Sequence, residues 1–272
     1  MIKQTLMKPF VAISKRIAKT RWGQSVLEKT VIRAQYLQGI GSGSDVFSSG
    51  ETAAFTKLKD SIDSKRELCV FDVGANKGQF LTLACTCLTG RKFTIHSFEP
   101  SRKTYEQLCE NARKYGNAVL NNCGLGRELG ELELFYDAVG SELASLTKRK
   151  LDHFGLHMDL SEKVKISTID AYCSDHRIDH IDLLKVDVEG HELDVLDGGK
   201  TMFSRSAIDM VTFEFGGCNI DTRTFFQDFF YFFQDHQMRI ARITPAGYLC
   251  ELRSYQEVFE QFRTTNFMCY RR

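Results

Sequence analysis

Strand-like and helix-like segments alternate from about residue 51 to the end of this 272-residue chain, and that alternation narrows the fold more than any other feature. The runs that predict strands are ELCVFDV, KFTIHSFEP, NAVLNNCGL, IDLLKVDV and IDMVTFEF, with GELELFY as a strand or hairpin arm. The runs that predict helices include ETAAFTKLKDSI, FLTLACTCL, SRKTYEQLCENARKYG, HELDVLDGG and TRTFFQDFFYFFQDH. This order predicts an α/β fold in which helices cover both faces of a mainly parallel sheet.

The last two predicted strands, GYLCEL and TNFMCYRR, flank a helix-like SYQEVFEQF. We expect this pair to finish the sheet with an antiparallel edge. In open α/β sheets, ligands bind beyond the carboxyl ends of the strands, where the strand order reverses. The residues that follow each predicted strand are therefore the first place to look for chemistry.

The first predicted strand ends at Asp72 and is followed by a turn that contains Gly74 and Gly78. Glycine allows positive φ and lets a ligand approach the backbone, and the next helix offers free N–H groups. The dinucleotide-binding fingerprint places its second glycine where this chain has Asn76, so NAD fits the turn less well.

The second predicted strand ends at Glu99, 21 residues after Gly78. A carboxylate at that place can accept hydrogen bonds from both hydroxyls of a ribose. This arrangement predicts a binding site for a ribonucleoside cofactor, because a strand, a glycine turn, a helix, a second strand and an acid follow one another in this order. Its candidate ligands in this chain are Asp72, Gly74, Asn76, Gly78 and Glu99.

Several acids and one histidine stand at the end of the strand LLKVDV, in the stretch DVEGHE. Asp187, Glu189 and His191 could deprotonate a hydroxyl, and the two acids could instead hold a divalent cation. Glu192 is better explained as an acid that complements the dipole of the next helix. Cys85, Cys87, His153 and His157 do not complete a metal site.

A further acid, Glu214, lies inside the apolar strand IDMVTFEF, where an unpaired carboxylate would be costly. Either it pairs, for example with Lys185 on a neighbouring strand, or it faces the substrate as a catalytic candidate. The loop 216–221 that follows is flexible enough to contact an acceptor.

The first forty residues carry a net charge of +7, and the remainder carries −6. An acidic body is not typical of enzymes that act on nucleic acids. We expect a basic helical extension at 1–38, a Gly/Ser-rich linker at 39–50 and the main domain at 51–272. The extension is a solvated helix packed on the domain or, alternatively, a peripheral membrane or partner contact.

The nine cysteines are dispersed, odd in number and partly inside apolar runs. This usage indicates reduced thiols in a cytoplasmic protein. No stretch reaches the ~18 apolar residues of a membrane-spanning helix.

The chain resembles the FkbM-type family of S-adenosylmethionine-dependent methyltransferases in five sequence blocks. In chain order these are DVGANKGQF, HSFEP, ISTIDAYC, KVDVEGHELDVLDGG and FEFGGCN. The resemblance implies a class I methyltransferase fold, with a seven-stranded, mostly parallel sheet whose last strand is reversed. It also implies methyl transfer to oxygen, most often on a sugar of a glycan, glycolipid or glycosylated natural product. Asp72, Gly74, Asn76 and Gly78 match the cofactor loop and Glu99 the ribose acid.

By the same resemblance, Asp187, Glu189 and Glu192 match the D-x-E-G-x-E block of the family. At the position of His191 the family accepts other residues. Asp187 or Glu189 is then the expected base, and residues 137–165 are expected to recognise the acceptor. Lys148, Arg149 and Lys150 would contact an anionic group or form a solvated face. An NAD-dependent oxidoreductase and a non-catalytic binding protein remain the alternative functions.

Overall fold

The structure is a computed structural model, and it describes residues 17–43, 49–61 and 66–271. It divides into two compact units, Met1–Gln38 and Gly39–Arg272. The first unit contains helix α1, Arg21–Leu37, which begins at Thr20, whose hydroxyl accepts a hydrogen bond from the Gly23 N–H. The predicted basic helical extension spans 1–38, and its part before residue 17 lies outside the described residues.

The second unit contains the remaining elements. Its strands are β1 Leu68–Val73, β2 Phe93–Phe98, β3 Ala118–Asn121, β4 Gly124–Leu125, β5 Gly130–Tyr136, β6 Leu160–Ser167, β7 Ile181–Val186, β8 Ile208–Phe215, β9 Arg239–Ile243, β10 Leu249–Leu252 and β11 Thr265–Tyr270. Its helices are α2 Thr52–Ser61, α3 Gln79–Cys87, α4 Arg102–Ala112, α5 Ile169–His176, α6 Glu192–Asp197, α7 Lys200–Ser204, α8 Cys218–Thr222 and α9 Phe226–Asp235, with 3-10 turns at Asp152–Phe154 and Glu257–Phe259.

Eight strands form the main sheet, in the order β10-β9-β11-β8-β7-β1-β2-β3. Strands β3, β2, β1, β7 and β8 pair in parallel, and β11 runs antiparallel to both β8 and β9. This topology confirms the predicted α/β class with a reversed last strand. The expected count of seven is exceeded because β10 adds an antiparallel arm to β9 at the edge.

Two local predictions were wrong, and one strand was missed. The predicted final pair, β10 and β11, does finish the sheet with an antiparallel edge, but the short strand β9, which the sequence patterns did not indicate, lies between them. The stretch SYQEVFEQF forms only the 3-10 turn Glu257–Phe259. The run NAVLNNCGL is divided between two sheets, since the Asn121 and Asn122 amides bond back to the carbonyls of Ser97 and Glu99 and end β3.

A smaller sheet, in the order β4-β6-β5, stands apart from the main one. Its strands β5 and β6 pair antiparallel over seven residue pairs, which confirms the hairpin-arm alternative for GELELFY. The chain between them, residues 137–159, pairs back with β5 through Ser145 and Phe135. The Ser145 hydroxyl also donates to the Glu189 carbonyl, just beyond the carboxyl end of β7.

The main sheet has an apolar cluster on each face, as a parallel sheet covered by helices requires. All six residues of β7 are buried, including Lys185. Because β1, β2, β7 and β8 are parallel, their carboxyl ends meet at one edge of the molecule. No helix among the described residues is long and apolar enough to cross a membrane.

Candidate active site

The turn after β1 is held tightly against the neighbouring strand ends. The N–H groups of Gly74 and Ala75 both donate to the Phe98 carbonyl, at 3.0 and 2.9 Å. Gly74, Asn76 and Gly78 all have positive φ, of 76°, 47° and 90°. A Cβ on Gly74 would lie 1.8 Å from the Asp187 carbonyl oxygen, so only glycine fits this close approach.

Glu99 joins this turn to the end of β2. Its carboxylate accepts the Asn76 N–H at 3.0 Å with one oxygen and the Ser101 N–H at 2.9 Å with the other. Burial raises the pKa of Glu99 to about 7, although both backbone donors favour the ionised form. Each oxygen keeps a lone pair, so the carboxylate can still accept bonds from a ligand hydroxyl.

One cavity of about 630 Å³ lies over these strand ends. The predicted cofactor residues Gly74, Asn76 and Glu99 line one part of it. The predicted catalytic residues, which are Asp187, Glu189, His191 and Glu214, all line it as well. The structure therefore brings the two predicted groups together in a single space.

Asp72 and Gly78 do not belong to the wall of that cavity. The Asp72 carboxylate is fully buried, and the Lys185 ammonium lies 3.4 Å from its Oδ1. Neither oxygen receives a well-directed hydrogen bond from the residues that the structure describes. Burial raises the pKa of Asp72 and Lys185 opposes that rise. Direct contact between Asp72 and a cofactor stays a prediction.

Lys185 is a buried cation at the centre of the site. Its Nζ donates to the Gly74 carbonyl at 2.7 Å and lies 3.4 Å from both the Asp72 and the Asp187 carboxylates. The suggested pairing with Glu214 is wrong, because Lys185 stands opposite Asp72 in the register of β1 and β7. Glu214 takes the other alternative and faces the cavity.

Glu189 adopts a left-handed backbone, with φ of 54°, and forms an ion pair with Arg149. Burial, and then Asp187, raise the pKa of Glu189 to about 8, while Arg149 lowers it. The Arg149 side chain is only 8% exposed and also lies 3.6 Å from Asp221. The solvated-face interpretation is therefore wrong for Arg149, but Lys148 is exposed and pairs with Asp159.

Both ring nitrogens of His191 are engaged. Nδ1 lies 2.8 Å from Asp194 and Nε2 lies 2.9 Å from the Thr147 hydroxyl. Glu192 is fully buried and accepts the N–H groups of Val188 and Gly190, so it fixes the turn before α6 rather than only complementing a helix dipole. Burial raises the pKa of Glu214 well above its usual range, and the Asp187 and Glu189 charges add to that rise.

The sequence reading missed Glu51 as a wall residue. Gly41, Gly43 and Glu51 line the cavity, and the N–H groups of both glycines donate to the Thr264 carbonyl. No local pattern distinguishes Glu51 from an ordinary acid at a helix start. The division into extension, linker and domain stays a prediction, although the described ends of the linker pack within the larger unit.

Within the described parts of the chain, the one group with the spacing of a metal site is His180, Asp182 and Asp209. It lies at the amino ends of β7 and β8, opposite the cavity. Asp187 is paired with Lys185 and Glu189 with Arg149. All nine cysteines are free thiols.

Comparison with known proteins identifies relatives of this chain. Hexuronic acid methyltransferase AglP of Haloferax volcanii is 31% identical over 137 residues, which cover 50% of this chain and 52% of the relative. A crystal structure of methyltransferase FkbM from Methylobacillus flagellatus KT is 15% identical and covers 92% of this chain and 60% of that one, with a TM-score of 0.46. TrmK of M. capricolum in complex with S-adenosylhomocysteine is 8% identical and covers 80% of this chain and 66% of that one, with a TM-score of 0.41.

The curated relative is matched over about half of its own length. The model of the methyltransferase FkbM domain matches residues 72–240. That match covers more than half of the chain and includes the glycine turn, Glu99 and the strand-end residues that line the cavity. This chain therefore belongs to the FkbM methyltransferase domain family, and membership implies S-adenosylmethionine as its cofactor.

Proposed function

We propose that this chain is an S-adenosylmethionine-dependent O-methyltransferase that acts on a hydroxyl of a sugar, in a glycan, glycolipid or glycosylated natural product. The observation that carries the proposal is the single cavity that joins the glycine turn and Glu99 to Asp187, Glu189, His191 and Glu214. The hexuronic acid methyltransferase among its relatives supports a saccharide acceptor.

The residues present fit the cofactor. The Gly74 backbone lies in the cavity wall, and the Asn76 Oδ1 is buried without a hydrogen-bond partner in the described structure. A ligand that donates hydrogen bonds would satisfy that oxygen. Gly74 and Asn76 would contact the cofactor and Glu99 would accept its ribose hydroxyls, with Asp72 and Gly78 supporting the turn. When bound, the cofactor supplies a methyl group that is already activated for transfer.

Asp187 is the best placed base among the four candidates. The Glu189 carboxylate is held in an ion pair by Arg149, and burial raises the pKa of Glu214 well above its usual range. The ring nitrogens of His191 are both engaged. Asp187 is 38% exposed towards the cavity and lies beside the Lys185 cation. It would accept the proton of the acceptor hydroxyl, which typically speeds a reaction by ~10²–10⁴-fold.

Glu189, His191 and Glu214 would then shape the acceptor side of the cavity. Residues 137–165, predicted to recognise the acceptor, contribute Arg149 to the wall. Ser145 also donates to the Glu189 carbonyl at 2.7 Å, so this segment is fastened to the strand end. A divalent cation receives no support from this arrangement, because Lys185 and Arg149 occupy the two carboxylates. We expect EDTA to leave the activity unchanged.

A cytoplasmic location with peripheral contact between α1 and a membrane is a further proposal. Trp22, Val31 and Leu37 are exposed on this helix, which also carries Lys29 and Arg33. Such a helix can bind an anionic surface. Sedimentation of the full chain with vesicles of phosphatidylcholine alone, or with added phosphatidylserine, tests this. Equal recovery in the supernatant with both would contradict it.

The central test is to incubate the full chain with S-adenosylmethionine labelled in its methyl group and with glycan or lipid extracts of its source. We expect label to enter a saccharide, and mass analysis would identify the acceptor. Binding of S-adenosylhomocysteine, measured by calorimetry, separates the outcomes. Binding without transfer would indicate a non-catalytic protein, whereas a thermal shift with NAD alone would indicate an oxidoreductase.

A further inference from the structure

Lys185 has three anionic or dipolar partners from two strand ends. On one side, it bonds to the Gly74 carbonyl in the glycine turn and lies beside Asp72 at the end of β1. On the other side, it lies 3.4 Å from Asp187, which follows β7 on the same chain. The side chain is 6% exposed, and it forms part of the cavity wall. It is therefore the direct link between the glycine turn and the proposed base.

This burial is unusual enough to require a reason. A buried ammonium loses its hydration, and burial alone would lower the pKa of Lys185. The Asp187 and Asp72 carboxylates outweigh that cost and raise the pKa instead. The fold therefore keeps the lysine charged, and a charged lysine is needed to hold carboxylates.

The two carboxylates differ in what they face. Asp72 is fully buried behind the wall, whereas Asp187 is 38% exposed and lines the cavity. Asp72 therefore serves as the counter-ion within the fold, and Asp187 is the partner that can reach an acceptor. Because the Lys185 Nζ is also fixed by the Gly74 carbonyl, the position of Asp187 is set relative to the turn.

We infer that Lys185 is a positioning residue for methyl transfer, which orients the Asp187 carboxylate towards the acceptor. The inference rests on the proposed function. In the reaction, the acceptor oxygen forms a bond to the methyl carbon as the carbon–sulfur bond breaks and the sulfur keeps the electron pair. The hydroxyl proton passes to Asp187, and Lys185 keeps its own protons throughout.

The test uses Lys185→Met, which removes the charge at similar length. On its own, this variant leaves Asp72 buried and unpaired, which destabilises a fold strongly. The double variant Asp72→Asn, Lys185→Met removes both charges and restores neutrality inside the protein. Lys200→Met is the matched control, because Lys200 is 66% exposed and its ion pair is with Asp197, at 3.4 Å.

Two quantities are measured on each folded variant. The first is the dissociation constant of S-adenosylhomocysteine by calorimetry, and the second is the rate of label transfer from saturating S-adenosylmethionine to the source extract. We expect the double variant to bind S-adenosylhomocysteine within about threefold of the wild type and to transfer label at least ~10-fold more slowly. The control should match the wild type in both.

A role through Asp187 also predicts non-additivity. The triple variant Asp72→Asn, Lys185→Met, Asp187→Asn should transfer label at the same rate as the variant Asp72→Asn, Asp187→Asn. Once Asp187 cannot act as a base, the loss of Lys185 should have no further effect on the rate. The inference would be overturned if Lys185→Met slowed transfer by the same factor with and without Asp187→Asn. A folded double variant that transfers label at the wild-type rate would overturn it as well. Failure of both Lys185 variants to fold would assign the lysine to stability alone and overturn it too. A wild type that transfers no label would instead refute the proposed function.

Discussion

Strand β7 gathers charged side chains at both of its ends, and within the described residues the cavity lies at its carboxyl end. At the amino end, Asp182 is buried and bonds to Arg66 and to the Cys69 N–H, at 2.7 Å for the latter. Asp209 lies 2.8 Å from His180 in the same group. At the carboxyl end, Asp187 shares Lys185 with Asp72 and keeps part of its carboxylate open.

A cluster of acids is therefore not by itself a functional site. Both clusters have a cation, and the amino-end cluster is the one with metal-like spacing. What separates them is topology. The chain leaves β1 towards β2 and leaves β7 towards β8, on opposite sides, so the loops diverge at the carboxyl ends and leave a crevice. Matched substitutions at the two ends should therefore have different effects on methyl transfer.

The largest effect should come from Asp187→Asn. The amide keeps the size of the side chain but cannot accept the acceptor proton, so we expect label transfer to fall by ~10²–10⁴-fold. Binding of S-adenosylhomocysteine should stay close to that of the wild type. Transfer assays with labelled S-adenosylmethionine measure the first quantity and calorimetry the second.

The matched change at the amino end is Asp182→Asn. It weakens the ion pair between the buried Asp182 and the partly exposed Arg66, so the melting temperature should fall, whereas transfer by the folded protein should not change. Equal losses of transfer in the two variants would show that the two ends of β7 do not differ in function.

The next largest loss of transfer is expected at Gly74, which can be compared with Gly90 because both glycines have positive φ. Gly74 has φ of 76° and Gly90, in the turn after α3, has φ of 81°. A Cβ on Gly74 would meet the Asp187 carbonyl at 1.8 Å, whereas a Cβ on Gly90 meets nothing within 4 Å. Gly74→Ala must displace the turn, and we expect transfer to fall by about 10²-fold, with weaker cofactor binding.

Gly90→Ala provides the control, because it carries only the strain of a left-handed alanine, about 1 kcal/mol. Thermal unfolding should register that cost while transfer stays at the wild-type rate. If both alanine variants behaved alike, the close approach at Gly74 would have no functional meaning.

The sequence predicted the cofactor side better than the acceptor side, for a physical reason. Gly74, Asn76 and Glu99 follow consecutive strands, β1 and β2, so local patterns along the chain place them together. The positions of Asp187 and Glu214 at strand ends were also readable, because parallel strands bring their carboxyl ends to one edge.

The cations that pair with those acids could not be predicted from the sequence. Lys185 is held by Asp72 through the register of β1 and β7, which lie more than a hundred positions apart in the chain. Arg149 looked like one cation in an exposed run, and only the crossing of the segment after β5 buries it beside Glu189. Pairing across distant segments depends on tertiary packing, which no local pattern in a single sequence reports.

A smaller effect is expected from Glu99 as pH changes. Its pKa rises from 4.5 to about 7 in the fold, so its contribution to stability is present below pH 4.5 and is lost as pH rises to 7, by about 3 kcal/mol in total. The ionised form is the one that accepts ribose hydroxyls well. Affinity for S-adenosylhomocysteine should therefore increase about tenfold from pH 6 to pH 8.

Glu99→Gln should bind S-adenosylhomocysteine weakly, with an affinity that varies much less over this range. Glu106→Gln, on the exposed face of α4, should keep the wild-type profile. Calorimetry at several pH values measures all three proteins. A wild-type affinity that does not change between pH 6 and pH 8 would contradict the role of Glu99.

The smallest effect belongs to the amino end of β7, at His180. The hydrogen bond to Asp209 raises the pKa of His180 above 6.5, although burial opposes the rise. The stability that this pair contributes is therefore present below pH 6.5 and is lost as pH rises through the folded pKa. Because the pair is about one third exposed, we expect it to contribute less than about 1 kcal/mol to the free energy of unfolding.

The melting temperatures of the wild type and His180→Gln should differ more at pH 6 than at pH 9, with equal affinities for S-adenosylhomocysteine. A change in that affinity would mean that the amino end does communicate with the cavity, and the contrast between the two ends would fail.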